Sequence, residues 1–203
     1  MKSFSDNRLI PTLAARVCDN QLVDSCKMED QNCPYIHLAP NSYYYDAHCH
    51  LDRLKKNNQV ELHHLALPKQ LAGIITNFID PHLYARLPDI LDADFAVPVY
   101  GTAGVHPQHA AKFNEKLQVE VVNLLTHPKI LAIGECGLDQ GHLNKATIQQ
   151  QETCFRWQLE AAKKYHKPLV LHCKNMHEEM LEIAQQVLDE RQKITVHCFG
   201  AVP

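Results

Sequence analysis

The chain has 203 residues, of which 45% are hydrophobic, and a formal net charge of −3 at pH 7. This length suits one domain with a sizeable core, and the weak negative charge excludes a strong basic field around the whole protein. A nuclease stays compatible with that charge, because metal ions and a few Lys or Arg side chains can hold phosphates locally.

No apolar run is long enough for a membrane span, and no secretory segment is recognisable. We therefore expect no membrane partner and no secretion, but an intracellular protein of the cytoplasm or nucleus. Its eight cysteines are then expected to be reduced thiols. No pattern in the sequence indicates an oligomeric state.

Residues 1–42 differ from the rest of the chain, because they show no sustained hydrophobic period. We interpret them as a flexible N-terminal extension that precedes a single domain at 43–203. A small zinc module is the alternative, and its ligands would be Cys18, Cys26, Cys33 and His37. The spacing of these four residues matches no standard pair of close zinc ligands, which favours the extension.

Six strands are predicted from Tyr43 onward. They are near-continuous apolar runs rather than alternating ones, which is typical of strands that are buried on both faces of a parallel sheet. The six runs cover residues 43–49, 71–79, 97–105, 130–134, 168–173 and 194–198.

Helical patterns separate these strands. The first begins at an N-cap followed by a proline, and Pro88 predicts a break or kink within it. The third begins with a capping box, in which Thr147 and Gln150 are the paired residues. The predicted helices follow Asp80-Pro81, cover 115–126, follow Thr147 and cover about 176–191.

The alternating order of strand and helix predicts a parallel sheet with right-handed crossovers, and hence an α/β fold of the (β/α)8 TIM-barrel type. We count about six βα units, whereas a closed barrel needs eight strands and typically about 250 residues. We therefore expect an incomplete barrel from a C-terminally truncated product or fragment. Its first and sixth strands would be unpaired edges that expose hydrogen-bonding groups and apolar surface.

Residues of metal-binding types stand at the ends of four predicted strands. One run leads to His48 and His50, and later runs lead to Glu135, His172 and His197. The C-terminal ends of barrel strands gather catalytic groups at one mouth. His48 and His50 share a strand face because they lie two residues apart, and the two oxygens of Glu135 can bridge two cations. The pattern predicts a metal-dependent hydrolase with divalent ions (Mg, Mn or Zn) as cofactors.

Each of these residues also has an ordinary structural explanation. The histidines can be members of a set of fourteen that lie on the surface or in the core, and Glu135 can be exposed in a loop. Their repeated position at strand ends favours ligation, since a carboxylate that ends a buried strand is costly unless it is paired. Asp52 and Asp139 are expected to accept hydrogen bonds from ligand histidines, or else to start the helices that follow.

Cysteine follows the candidate ligand in all four places, at Cys49, Cys136, Cys173 and Cys198. Strand alternation turns residue i+1 to the opposite face, toward the helices, where a small thiol packs well. We therefore predict that these four cysteines are core residues rather than ligands.

Two further residues are candidates for contact with a substrate phosphate. His106 lies at the end of the third strand and can bind or polarise the phosphate, or it can be a structural loop histidine. Lys174 directly follows His172-Cys173 and can place a cation near a phosphoryl group, or it can be a solvated lysine.

Five segments in order, DAHCHLD, GVHPQ, IGECGLD, VLHCK and VHCFG, resemble the motifs of the TatD-type metal-dependent deoxyribonucleases of the amidohydrolase superfamily. The match runs from about Asp46 to Phe199. The long segment before the barrel resembles the animal TatD-domain-containing proteins more than the compact bacterial ones.

The resemblance implies a two-metal phosphodiesterase on a TIM barrel. By similarity, His48 and His50 would hold one ion, His172 and His197 would hold the second, and Glu135 would bridge them. The substrate would be DNA, often cut by an exonuclease, or RNA in some members. The implied function is thus a deoxyribonuclease. We expect Glu135 and His106 to be its catalytic residues and, from their positions at strand ends, His106 and Lys174 to contact the substrate.

The sequence also departs from the family pattern. The family uses a further Asp on the eighth strand, as metal ligand and general base, and no residue of this chain supplies it. The residues after His197 differ from the usual HCF-S/T-G, Lys174 stands where Arg is common, and Gln140 stands where an aromatic residue is common.

Two alternatives follow. The chain can be an inactive truncated isoform or fragment that binds metal or nucleic acid weakly or partners the full-length enzyme. It can also be another amidohydrolase that acts on a small ester or amide. Glu135 disfavours the second alternative, because those families often use a carboxylated lysine as the bridge.

Overall fold

The computed structural model of the protein describes residues 43–53, 67–141 and 144–200. The predicted extension at 1–42 and its alternative zinc module lie outside the described residues. Six strands form one parallel sheet in sequence order. They are β1 (Tyr44–Cys49), β2 (Leu71–Phe78), β3 (Val99–Ala103), β4 (Ile130–Asp139), β5 (Leu169–Lys174) and β6 (Ile194–Gly200).

Helices connect the strands. Two connections begin with 3₁₀ helices, at Pro81–Arg86 after β2 and at Pro107–Lys112 after β3. The α-helices are α1 (Leu87–Leu91), α2 (Glu115–Leu124), α3 (Ile148–Tyr165) and α4 (His177–Val187). Among the described residues, no helix is both long and apolar enough to cross a membrane.

The sequence signals for helix starts are confirmed. The Asp80 side chain accepts from the His82 N–H at 3.1 Å, and Pro81 follows it in the first turn. The expected interruption is also present, because a 3₁₀ helix ends at Arg86 and α1, with Pro88 in its first turn, begins at Leu87.

The capping box at the start of α3 is confirmed as well. The Thr147 hydroxyl accepts from the Gln150 N–H, and the Gln150 side chain accepts from the Thr147 N–H. These two bonds satisfy N–H groups that the first helical turn leaves unpaired.

The six strands curl into a half-barrel, so the predicted partial (β/α)8 fold is confirmed. All strands are parallel, and their C-terminal ends therefore lie along one edge of the sheet. Between the sheet and the helices lies an apolar core that contains Phe78, Leu87, Ile133, Phe155 and Leu159, each fully buried.

The expectation of strands buried on both faces is correct for most residues of the inner strands, with Leu131 in β4 as an exposed exception, and wrong for β1 and β6. Tyr45 in β1 is 56% exposed, and Ile194 and Val196 in β6 are each 43% exposed. Within the described residues β1 pairs only with β2 and β6 only with β5. Edge strands lack a neighbour on one side, so their side chains stay partly open to solvent.

Candidate metal centre

Glu135 lies at the centre of the candidate site. It extends from β4 and is 1% exposed. Its Oε1 lies 3.2 Å from Nε2 of His48 and 3.4 Å from Nε2 of His50, both from the C-terminal end of β1. Its Oε2 lies 3.4 Å from Nδ1 of His172 in β5 and 3.7 Å from Nε2 of His197 in β6. Each carboxylate oxygen therefore faces one pair of histidines.

The atoms of this cluster fit a bound cation. Three of them, His48 Nε2, Glu135 Oε1 and His172 Nδ1, are buried and lack a partner in hydrogen-bond geometry among the described residues. Each of the two imidazole nitrogens nevertheless lies within ion-pair distance of one Glu135 oxygen, His48 Nε2 of Oε1 and His172 Nδ1 of Oε2. Buried polar atoms without a partner are rare and costly. Ligand atoms of His48, His50 and Glu135 lie within 4.8 Å of one another, as one ion would require.

His50 is held in the tautomer that suits ligation. Its Nδ1 lies 2.8 Å from the backbone carbonyl oxygen of Asn77, which can only accept, so Nδ1 carries the proton. Nε2 therefore turns a lone pair toward Glu135. Burial lowers the pKa of His50 more than the nearby carboxylate raises it, which favours the neutral ring. The lone pair of His50 Nε2 thus faces a lone pair of Glu135 Oε1, and a cation between these two atoms would stabilise the arrangement.

Asn77 also contacts His48, and sequence reasoning did not identify it. Its side-chain amide lies 3.2 Å from His48 Nδ1, and its Oδ1 lies 2.9 Å from the Thr102 hydroxyl. That hydroxyl is also 2.9 Å from the carbonyl oxygen of Gly134, next to Glu135. The available signal was the polar pair Thr76-Asn77 near the end of the apolar run of β2.

Asp139 lies where the sequence predicted an acceptor for a ligand histidine. Its Oδ2 is 3.3 Å from Nε2 of His172, and its Oδ1 accepts from the Gly141 N–H at 2.6 Å. Burial alone would lower the pKa of His172, but its hydrogen bond to Asp139 and the nearby carboxylate of Glu135 raise it. The alternative role as a helix start does not apply, because Thr147 caps α3.

Asp52, the other residue predicted to accept from a ligand histidine, does not contact one. It is fully buried, and its carboxylate oxygens have no hydrogen-bond partner among the described residues. Burial raises the pKa of Asp52 to about 6, against the opposing influence of Arg53. The structure does not bring Asp52 to His48 or His50, whose Nδ1 atoms lie against Asn77 instead.

His106 joins the cluster as a donor. Its Nδ1 accepts from the Gln108 N–H at 3.1 Å, so Nε2 carries the proton of the neutral ring. Burial holds the pKa of His106 well below its usual range, with the neighbouring His172 as a further cause. The two rings have centroids 4.3 Å apart. His106 therefore presents an N–H beside the carboxylate rather than a lone pair.

Lys174 is not part of the cluster. It is half-buried at the end of β5 and forms no ion pair with any described carboxylate. Its backbone carbonyl accepts from the Gln140 N–H at 3.0 Å.

The four cysteines divide into two groups. Cys136 and Cys173 are fully buried and Cys49 packs against the core, as strand alternation predicts. Cys198 is only half-buried and is not part of the core as predicted, and its Sγ lies within 4.8 Å of a ring nitrogen of His172 and one of His197. Cys198 has a left-handed φ of 58°, and this conformation breaks the alternation at the end of β6.

The electrostatics of the site favour a charged Glu135 carboxylate, with the rings of His50, His106 and His197 neutral around it. Burial would raise the pKa of Glu135, but the imidazoles of His172 and His48, at 3.4 Å and 3.2 Å, hold it well below its usual range. Burial lowers the pKa of His197 to about 4. A charged carboxylate surrounded by imidazole nitrogens is a donor set for first-row divalent ions.

A half-barrel of parallel strands with this donor set at its C-terminal mouth defines the class of the metal-dependent hydrolases. Within this class the chain belongs to the TatD-related DNase family, whose model matches residues 45–202.

Named relatives agree with this assignment. The chain is 32% identical over 183 residues to a human 3'-5' RNA nuclease, TATDN2, and 36% identical over 109 residues to a 3'-5' ssDNA/RNA exonuclease, TatD, of Yersinia pseudotuberculosis. These matches cover 84% and 54% of this chain. The chain spans only 24% and 42% of the length of these two relatives.

Solved structures share the fold. A TatD homologue of Escherichia coli, YJJV, superimposes with a TM-score of 0.65 at 24% identity, over 78% of this chain and 61% of its own. A TatD-family hydrolase of Entamoeba histolytica gives a TM-score of 0.67 at 21% identity, over 79% of this chain and 59% of its own.

Proposed function

We propose that the chain carries the metal site of a phosphodiester hydrolase that removes nucleotides from the 3' end of DNA or RNA strands. One observation carries the proposal. The two oxygens of Glu135 face two separate pairs of histidine nitrogens, as a carboxylate that bridges two cations would.

The ligands divide between the two oxygens. His48 and His50 would hold one divalent ion with Oε1 of Glu135, and His172 and His197 would hold a second with Oε2. When bound, such a pair of ions neutralises charge that develops on a phosphate and lowers the pKa of water. Mg, Mn and Zn are all compatible with imidazole and carboxylate donors, and the donor set favours none of them decisively.

The other residues of the site have supporting roles. The Nε2–H of His106 is positioned to donate to a non-bridging phosphate oxygen, and the low pKa of this buried ring keeps the donor neutral. Asp139 fixes the ring of His172 through Nε2, which leaves Nδ1 directed at Glu135. Lys174 remains a candidate for contact with a more distant phosphate of the strand.

The choice of substrate rests on the relatives. The human relative is named as a 3'-5' RNA nuclease and the Yersinia relative as a 3'-5' ssDNA/RNA exonuclease. A single strand with a free 3' end, of either sugar type, is therefore the substrate we propose for this site. The domain we assign to the activity covers residues 43–203.

Metal stoichiometry and product analysis test the proposal together. Elemental analysis of the purified chain is expected to give close to two divalent ions, and fewer in His48→Ala. The matched control is His127→Ala, because His127 precedes β4 at the opposite end of the sheet. With 5'-labelled single strands of DNA and RNA, the expected product is a ladder that shortens from the 3' end.

Each outcome is informative. A metal content near zero in the parent chain would refute the two-ion site. Two ions without cleavage of either strand would make the chain a metal-binding protein without nuclease activity. A ladder from the 5' end, or internal cleavage alone, would refute the proposed polarity.

A further inference from the structure

Helix α3 carries two glutamines that are unusually deep in the protein. Gln151 is 1% exposed and Gln158 is fully buried. Glutamine is mostly exposed in folded proteins, and a buried side-chain amide is costly unless its donors and acceptor are paired. The two residues are seven apart, so they lie two turns apart on one face of the helix.

Gln158 pairs with one residue at the end of β3. Its Oε1 accepts from the Val105 N–H at 2.7 Å, and its Nε2 donates to the Val105 carbonyl oxygen at 3.0 Å. In a β-sheet the backbone of a neighbouring strand would bind both groups of Val105. Here the side-chain amide of Gln158 takes the place of that backbone. Val105 directly precedes His106.

Gln151 forms the same arrangement at the end of β4. Its Oε1 accepts from the Asp139 N–H at 2.8 Å, and its Nε2 lies 3.2 Å from the Asp139 carbonyl oxygen and 3.0 Å from that of Ala146. Both glutamines therefore hold a strand end from which a side chain reaches the candidate metal centre.

The two strand ends converge on one histidine. Asp139 Oδ2 lies 3.3 Å from His172 Nε2, and the ring of His106 lies against the His172 ring, with centroids 4.3 Å apart. Gly104 is too closely packed for a larger residue, because a Cβ there would lie 2.8 Å from Gln158 Oε1 and 2.7 Å from the backbone nitrogen of Gly134.

We infer that Gln151 and Gln158 are positioning residues, which use the rigid helix α3 to fix Asp139 and His106 on either side of His172. Neither glutamine touches the candidate ion positions. A displaced His106 would present its N–H in the wrong place, and a displaced Asp139 would release the His172 ring. The predicted effect of the two glutamines on catalysis rests on the proposed function. Their effect on the positions of Asp139 and His106 does not, because those positions can be measured in a chain without nuclease activity.

The test uses Gln158→Met and Gln151→Met, which keep the side-chain length and remove the hydrogen bonds. Gln149→Met is the matched control, because Gln149 is exposed on the same helix. The first readout is the ring ¹⁵N–¹H spectrum of histidine-labelled protein without metal. We expect Gln158→Met to shift the His106 signals and Gln151→Met to shift those of His172, while Gln149→Met shifts neither.

A purely structural role must be distinguished from positioning. Leu159→Ala removes a fully buried side chain of the same helix without touching either pair of bonds. It is expected to lower stability and to leave the His106 signals in place. If Leu159→Ala moves them as much as Gln158→Met does, or if folded Gln158→Met leaves them unchanged, the inference is wrong.

The second readout is hydrolysis of a phosphodiester by the metal-loaded chain. Both methionine variants are expected to lower kcat about 10–100-fold with little change in KM, as loss of a supporting hydrogen bond does. If the parent chain hydrolyses nothing, the proposed function fails and the spectra still decide the positioning role.

A third measurement covers the case in which Gln158→Met does not fold. In the parent chain the amide proton of Val105 is expected to exchange with solvent as slowly as the amides of β4, because Gln158 binds it. Exchange within minutes would contradict the inference.

Discussion

The imidazoles of His48 and His197 stack with ring centroids 3.6 Å apart and 11° between their planes, although β1 and β6 are the two edges of the sheet. The curl of the sheet brings these strand ends together. Two rings at this distance resist being charged at once, and burial with nearby histidines lowers the pKa of His197 to about 4. The ring of His197 is therefore neutral, with a lone pair available where a cation would bind.

Asn77 is expected to tune the affinity for metal. When His48 ligates through Nε2, its Nδ1 carries the proton, so the Asn77 amide, whose nitrogen lies 3.2 Å from Nδ1, has to turn its oxygen to that N–H. Asn77→Leu removes this acceptor, while His50 keeps its bond to the backbone carbonyl of residue 77. Loss of such a supporting partner typically weakens metal binding about 10–100-fold. Isothermal titration with Mn²⁺ measures the effect.

A second variant at this position makes the test specific. In Asn77→Asp the carboxylate can accept from a protonated Nδ1, so that His48 ligates through Nε2, and affinity is expected to stay within a few-fold of the parent. Equal losses in both variants would show that Asn77 acts through packing alone.

Much of the site was predictable from the sequence, because position along parallel strands decides which residues meet. Every strand of a parallel sheet ends at the same edge, so His48, Glu135, His172 and His197 could be grouped without knowledge of the register. The capping box at Thr147 is equally local, since its two bonds join residues three apart.

The supporting contacts were not predictable. Gln158 binds Val105 across 53 positions, and Asn77 binds His48 across 29. Such pairs depend on the helix orientation and on the register of the sheet, which no local pattern encodes. The positive φ of Cys198 was not predictable either, because glycine is the residue that usually signals such a conformation and this position holds a cysteine.

The buried carboxyl of Asp52 is expected to make stability depend on pH. Burial raises its pKa from 3.8 in the unfolded chain to about 6. Because the folded pKa is the higher one, this group's contribution is most favourable below pH 3.8 and is lost as the pH rises through 6. The total loss is roughly 3 kcal/mol, and about half of it accrues between pH 5 and pH 8.

Asp52→Asn removes this titration. Urea unfolding in EDTA is expected to show that the stability of the variant relative to the parent increases by about 1.4 kcal/mol between pH 5 and pH 8. A difference that is constant over this range would show that Asp52 is not titrating as a buried acid.

Gly137 is expected to be essential for the pairing of β4 with β5. It has a φ of 145°, and a Cβ at this position would overlap the carbonyl oxygen of His172. Gly137→Ala should lower the free energy of unfolding by about 2 kcal/mol or more and weaken metal binding, because it displaces His172 from Glu135.

Gly101→Ala is the matched control in β3. There the nearest atom to a new Cβ is the terminal Cδ1 of Ile130, at 2.8 Å, and a side-chain end can move. Chemical denaturation should show a smaller loss for Gly101→Ala, with unchanged metal affinity. A larger loss for Gly101→Ala would contradict the role assigned to Gly137.

Metal binding is expected to release a proton from His172. Its hydrogen bond to Asp139 and the nearby carboxylate of Glu135 raise its pKa in the protein without metal, despite burial. A raised folded pKa gives extra stability that is fully present below the unfolded value of 6.5 and is lost as the pH rises through the folded value. Metal needs the neutral ring, so affinity should increase with pH over the same window and then level off.

Titrations at pH 7 in two buffers of different ionisation enthalpy count the protons released. Asp139→Asn removes the negative charge beside Nε2 and should lower the pKa of His172, so that fewer protons are released and the pH window shifts downward. Asp89→Asn is the control, because Asp89 lies on the exposed face of α1, away from the centre. If Asp139→Asn released as many protons as the parent, the proton would come from another ligand, and the pairing of His172 with Asp139 would not control the pH dependence of the site.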